Sequence, residues 1–450
     1  MNRSILIVTP FFAPQSHAAV FRAYKLIKYL PQHGWKVHVI TVDTNYNYNE
    51  DLGLLEALPP DVEVHRTRYV EPSIRGLRMA LGGKDRTFKT VKATNGQQHN
   101  FKNNGHNTEQ SLNLSRRLYN YIRATWFLSP DAYWTWEKPT VQKACEVIRQ
   151  HQIPLVFTSA DPFTSHRIGY QIKQATNISW VADFRDPHTH SYNMHSRNHR
   201  IYGKQRQAEQ LAVTHADVVT TAAESIALIL TETYGLKSNH PIRFIPTGLD
   251  ENLLDSEMTI EPLAFPYLIF IGEFLPVYGE LFFSIFAKVI ENPEVRATGI
   301  KLLFIGRKDV NKPNLIPYIE KHNLHQFVEI MDHVPQQVLY KYVQDAKATL
   351  LVPGKRKYWW TLYAKLVDYI ALHKPTIAIV PETSEARTHL QKSGLGIFLD
   401  DEQRGVDKLT QFLLTDELEQ DLDEDYCNRF LATSQVKEYV TLFDELLKKE

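Results

Sequence analysis

The sequence predicts an α/β protein of two doubly wound, Rossmann-like domains facing a central cleft. Three observations carry that reading. Short apolar runs rich in branched residues alternate with segments of helical periodicity over most of the 450 residues. The alternation comes in two series, separated at 250–266 by an acidic stretch containing two prolines. Several strand-like runs end in glycine or a polar turn, as strands feeding a crossover helix do.

Composition sets the outer limits. Hydrophobic residues make up 43% and charged residues 23%, enough to bury sizeable cores. Lys+Arg and Asp+Glu are both 51, which excludes a globally basic nucleic-acid protein. The two cysteines, Cys145 and Cys427, exclude a disulfide framework and any multi-cysteine zinc or iron–sulfur site. No apolar run approaches the ~20 residues needed to cross a bilayer, and the chain opens into a strand-like run without a signal-peptide pattern. The expected location is cytoplasmic, with peripheral contact at the inner face of a membrane left open.

The elements follow in order. SILIV (4–8) is the first strand, and Pro10 and Pro14 keep the next residues irregular. Val20, Tyr24, Ile27 and Leu30 repeat at helical spacing, Gly34 marks the stop, and KVHVIT (36–41) returns as a parallel strand. VEVHR (62–66) is the third strand. Residues 84–113 hold too few apolar side chains to offset their ordering entropy and read as a flexible, mildly basic insertion. In 115–128, Leu118, Tyr121, Ile122 and Trp126 share one helical face, with Arg116 and Arg123 opposite. That face either packs on the first core or lies on an anionic membrane. PLVFTS (154–159), SWVADF (179–184), DVVTTA (217–222) and RFIP (243–246) complete the first series. The second comprises YLIFIG (267–272), KLLFIG (301–306), FVEIM (327–331), ATLLVP (348–353) and TIAIV (376–380), with a helix over 362–372. The boundaries expected are 1–250, 251–430 and a terminal amphipathic helix in 431–450 that crosses back to the N-terminal domain.

In such sheets ligands bind beyond the carboxyl ends of the strands. The residues there are Ser16 and His17, then Asp161 with His166, then Arg185-Asp186-Pro187, then Thr247-Gly248. TPFFAP…AAVFRAYKLIKYL…GWKVHVIT, SADPFTSHRIGYQI, WVADFRDP, FIPTGLDENLL and TLYAKLVDYIALHKPTIAIV stand in the order used by family 4 glycosyltransferases of the GT-B fold, which this chain resembles over most of its length outside 84–113. The WVADFRDP stretch resembles a subgroup that builds surface polysaccharides and glycolipids.

The resemblance implies sugar transfer, with retention, from a nucleotide-sugar donor such as a UDP- or GDP-sugar to a glycan or lipid-linked acceptor. It implies no cofactor, no obligatory metal and no nucleic-acid partner. Charge that builds on the leaving diphosphate calls for cations and helix N-termini. Lys365 and Asp368, on the first turns of the 362–372 helix, match the family's phosphate and ribose partners, with Gly272, Thr361, Leu362 and Gly248 around them. On the acceptor side Asp186, His166, Arg185 and Asp183 are the catalytic candidates. Arg22, His17, Ser16, Lys355 and Arg356 are candidates for phosphate or acceptor contacts.

Three departures stand out. The segment Gly272–Gly279 has no cation and carries Glu273, where the family usually places two cations on the diphosphate. Trp360 occupies the position of the first acid of the family's paired-acid motif, and Gln15–Ala19 replaces its paired-glycine loop. His188, His190, His195 and His199 are dense but lack a metal-binding framework, and read as a polar loop. Two functional classes therefore stay open: a glycosyltransferase, and a non-catalytic GT-B-shaped scaffold of a polysaccharide-assembly complex. A nucleotide-sugar epimerase is a third reading, against which Asp183-Phe184-Arg185-Asp186 argues.

Overall fold

The computed structural model describes residues 2–43, 50–82, 130–190, 199–237, 239–254, 261–275, 280–352 and 359–448, with backbone alone at 188 and 199–201. The insertion 84–113 and the periodic segment 115–128 lie outside the described residues.

The first sheet has seven strands: β1 (Ser4–Val8), β2 (Lys36–Val42), β3 (Glu63–Thr67), β4 (Leu155–Ala160), β5 (Ser179–Phe184), β6 (Val218–Thr221) and β7 (Ile242–Phe244). Their order is β3-β2-β1-β4-β5-β6-β7. Pairing is parallel from β3 through to β5, with Ile5 opposite both Val37 and Leu155. The order of the strands reverses between β1 and β4, which is the topological switch point. β1, β4 and β5 are buried along their whole length, because helices cover both faces of a parallel sheet.

The second sheet has β8 (Tyr267–Ile271), β9 (Lys301–Ile305), β10 (Val328–Met331), β11 (Ala348–Leu351), β12 (Thr376–Ala378) and β13 (Gly396–Phe398). Its order is β10-β9-β8-β11-β12-β13, with every pair parallel and the switch point between β8 and β11. Phe270, Phe274, Phe283 and Phe304 interlock at the centre of its core. Two doubly wound parallel sheets are what the sequence predicts.

By contact density the chain separates into one unit ending at Val219 and another covering Thr220–Lys448, so the break falls inside β6. The terminal helix Ala432–Leu447 belongs to the second unit. The stretch expected to be a plain linker is partly anchored. Glu251 accepts hydrogen bonds from the backbone N–H groups of Ala432 (3.1 Å) and Thr433 (3.2 Å) and thereby caps that helix. Gly248 packs so close to it that a Cβ would sit 2.4 Å from the Leu431 and Ala432 backbone. Both cysteines are buried free thiols. Among the described residues no helix is long and apolar enough to cross a membrane.

Candidate active site

At the carboxyl edge of the first sheet, the ends of β1, β4 and β5 bring polar groups together around the switch point. The helix Ala18–Tyr29 begins at His17, which makes no capping hydrogen bond; its ring Nε2 lies 3.3 Å from Gln15 Oε1. Burial, and then the positive charge of Arg185, push the His17 imidazole down to about 4. At neutral pH it is therefore uncharged, with one nitrogen able to accept and one to donate. The backbone N–H of Arg185 donates to Ala160 O (3.2 Å), tying the end of β5 to that of β4. Arg185 Nε lies 3.8 Å from Asp186 Oδ2. Desolvation raises the Asp186 carboxyl, Arg185 opposes the rise and the Asp161 charge adds to it. A carboxylate made more basic by burial, yet still partly open to solvent, suits a group that orients and accepts a proton from an attacking hydroxyl.

The other first-unit candidates lie beneath this edge. Asp183 is fully buried and accepts from Arg22 Nε (3.0 Å) and Nη2 (2.8 Å), and from Ser159 Oγ (3.1 Å). Arg22 is itself buried, so its guanidinium is directed at Asp183, and the pair welds the first helix to β5. The ion-pair partner of Asp183 is thus Arg22, from the first helix. His166 is fully buried among Phe163, Trp180 and Phe184, with Nδ1 2.8 Å from Thr158 Oγ1, which also accepts from Trp180 Nε1 (2.8 Å). These three residues set the floor of the site, whereas His17, Ser16, Arg185 and Asp186 are partly exposed on it.

At the carboxyl edge of the second sheet, β8 ends at Gly272, whose φ of +98° is open to glycine with little strain. The turn that follows is clamped by Asn311, which donates to Gly272 O (2.9 Å) and accepts from Phe274 N–H (2.8 Å). The helix Ala364–Ala371 starts two residues later than Leu362, and Tyr363 at its N-cap makes no capping hydrogen bond. Lys365, in its first turn, reaches back to the end of β8. Its Nζ lies 4.1 Å from the Phe270 ring centroid and 3.4 Å from Ile271 O. Among the described residues no carboxylate pairs with it. Burial alone pushes its ammonium down to about 8. Asp368 accepts a hydrogen bond from the Tyr340 hydroxyl, which is further held by Gln336 Nε2 (2.6 Å). Thr361 carries a buried Oγ1 with no hydrogen-bond partner, just ahead of the helix.

Two other helix amino ends are filled by the protein's own carboxylates. Asp131 accepts from the Thr164 N–H (2.8 Å), and Glu385 accepts from the Glu224 (2.6 Å) and Ser225 (2.9 Å) N–H groups. Among the described residues no carboxylate caps the end bearing Lys365, and a helix amino end carries positive potential.

Sequence reasoning missed one cation. Arg307, just past β9, places Nε 3.3 Å from Glu273 Oε1 and 3.6 Å from Asp309 Oδ1. The acid at 273 is thus paired, and the strand ends carry a guanidinium that the segment 272–279 lacks. The KLLFIGR run (301–307) held the signal: a cation directly after a strand-glycine ending. Trp360 is buried, as an apolar residue in the first-acid position would be. Trp136 is also buried, donating to Thr67 Oγ1 (2.7 Å). Lys355, Arg356 and His195 lie outside the described residues. His190 is exposed and lies beside Thr189, whose hydroxyl donates to the buried Glu209 (2.7 Å).

No family model matches the chain, and no curated protein matches it. Solved structures do. Sucrose-phosphate synthase from Thermosynechococcus elongatus is 14% identical, with both chains covered over 100% and a TM-score of 0.59. The lipopolysaccharide outer core galactosyltransferase WaaB is 11% identical, with 98% of this chain and 99% of that chain covered and a TM-score of 0.53. UDP-GlcNAc 2-epimerase from Methanocaldococcus jannaschii is 11% identical, with 98% and 99% covered and a TM-score of 0.52. Likeness at these identities is a likeness of fold, and the two doubly wound parallel sheets of this chain form the GT-B fold.

Proposed function

We propose that the protein is a nucleotide-sugar-dependent glycosyltransferase. One observation carries the reading: Lys365 is sunk at the open amino end of the Ala364–Ala371 helix, against the end of β8, without a carboxylate partner among the described residues. Burying an ammonium without a counter-ion is costly, and an anionic ligand at that helix end removes the cost. A diphosphate leaving group is such an anion, and stabilising its charge is the main electrostatic task in sugar transfer. Asp368, three residues further along the same helix, suits the ribose hydroxyls.

Asp186 orients the acceptor hydroxyl and takes part in its deprotonation, with Arg185 tuning its basicity and neutral His17 adding a hydrogen bond. Asp183 and His166 are positioning residues: they hold β5, β4 and the helix after β4 so that Asp186 faces outward. The finer reading rests on the WVADFRDP resemblance. It is transfer with retention from a UDP- or GDP-sugar to a glycan or lipid-linked acceptor of a surface polysaccharide.

The scaffold reading drew on the absence of a cation near Glu273, and Arg307 weakens that basis. The epimerase reading keeps the fold and the diphosphate but needs no acceptor. A panel of UDP- and GDP-sugars, followed by NMR with and without oligosaccharide or lipid-linked acceptors, separates the three. Nucleoside diphosphate release that requires an acceptor supports transfer. Acceptor-independent epimerisation at C2 supports the epimerase, and no binding to any nucleotide supports the scaffold.

A further inference from the structure

The opposite, amino-terminal edge of the first sheet carries a cluster that sugar transfer does not use. His38 lies near the start of β2, and Glu63 and His65 open β3. In the parallel register His38 stands opposite Glu63 and Ile40 opposite His65. Alternation along each strand therefore puts His38, Glu63 and His65 on one face. The helix Trp134–His151 ends over them, at His151.

One candidate ligand atom from each of His38, Glu63 and His65 falls within 4.8 Å of the others. His38 Nδ1 is 3.5 Å and His151 Nε2 3.9 Å from Glu63 Oε2. The His38 ring lies 4.4 Å from that of His151 and stacks on that of His65 at 5.9 Å. His38 is fully buried, and neither of its ring nitrogens has a hydrogen-bond partner; the buried Nε2 of His65 has none either. A core histidine normally satisfies at least one nitrogen, and leaving such a group unmade is expensive.

We infer that His38, Glu63 and His65, with His151 as the fourth ligand, form a structural site for a divalent transition ion of the zinc class. Imidazoles plus one carboxylate are a zinc-type donor set. Tetrahedral bonds of about 2.0–2.2 Å place ligand atoms roughly 3.3–3.6 Å apart, so the pair at 3.5 Å already fits, and the remaining ligand atoms must draw closer on binding. Lys36 and Lys143 are the cations nearby, and Lys143 is neutralised by Glu146 at 2.7 Å. The carboxyl end of the helix adds favourable negative potential. The ion would staple β2 and β3 to that helix, at the end of the sheet remote from Asp186.

The test uses the full chain, stripped with EDTA and titrated with Zn2+, with Co2+ as a spectroscopic probe. The expected result is one Zn2+ per chain after desalting, a raised Tm, and Co2+ absorption of tetrahedral intensity. Glu63→Gln and His65→Ala, each on a partly exposed residue, should weaken Zn2+ binding at least tenfold while leaving the metal-free Tm near that of the wild type. The exposed control His325→Ala should bind like the wild type. Substoichiometric zinc, or zinc retained equally by both ligand variants, would overturn the assignment, the second result placing the ion on other histidines.

Discussion

Two cations in this molecule, the buried Arg22 and the half-buried Lys365, have opposite surroundings. Arg22 in the first unit is held by the fully buried carboxylate of Asp183, with two hydrogen bonds at 2.8 and 3.0 Å. Lys365 in the second has an aromatic face and a carbonyl oxygen, and no acid among the described residues. The first is a closed arrangement whose charges cancel inside the fold. The second holds a charge that no carboxylate among the described residues compensates. On the proposed function the difference separates a positioning pair from a group that awaits a ligand, although both are cations on the first or second turn of a helix that follows a strand.

Substitution tests that contrast, beginning with the largest effect. Asp183→Ala strands Arg22 in the core, and loss of one member of a buried pair costs about 3–5 kcal/mol. Urea melts should show that loss, and a change under 1 kcal/mol would break the comparison. Asp186→Asn is expected to lower the turnover rate roughly 100-fold or more, with donor affinity within a few-fold of the wild type; equal loss of both contradicts an acceptor-side role. Lys365→Met should leave Tm unchanged or raised, because no internal ion pair is lost.

The pH dependence follows from the same asymmetry. The folded-state value of Lys365 lies near 8, below the 10.5 of the exposed group. The unfolded chain therefore holds more protons between about 8 and 10.5, and this residue's contribution to stability rises with pH across that window. Nucleotide affinity runs the other way, falling as pH rises through about 8 and the ammonium is lost. The smallest effect concerns Glu273. Its pair with Arg307 is half exposed, so Glu273→Gln should change stability by less than about 1 kcal/mol. By removing a negative charge it should strengthen nucleotide binding slightly, as titration calorimetry would show.

Much of the fold was legible because parallel strands buried on both faces read as apolar runs, and SILIV, PLVFTS, SWVADF and KLLFIG all became strands. The carboxyl-edge residues were legible for the same reason, since a strand end locates its own loop. Partnerships were not. That Asp183 chooses Arg22 over Arg185, or that Arg307 meets Glu273, depends on strand order and helix docking, which one sequence does not encode locally. The histidine cluster was hidden in the same way. His38 and the Glu63-Val64-His65 alternation are unremarkable apart, and the β2–β3 register alone brings them face to face. The start of the Ala364 helix fell two residues late because Tyr363 caps it in extended conformation without a polar side-chain cap to mark the boundary.

Calorimetric titration of UDP and GDP into the wild type and Lys365→Met at pH 7 tests the central claim most directly. The account predicts binding of at least one nucleotide by the wild type, and a 10- to 100-fold weaker affinity in the variant, the range expected for losing a charge-assisted contact. Equal affinity in the two proteins would contradict it.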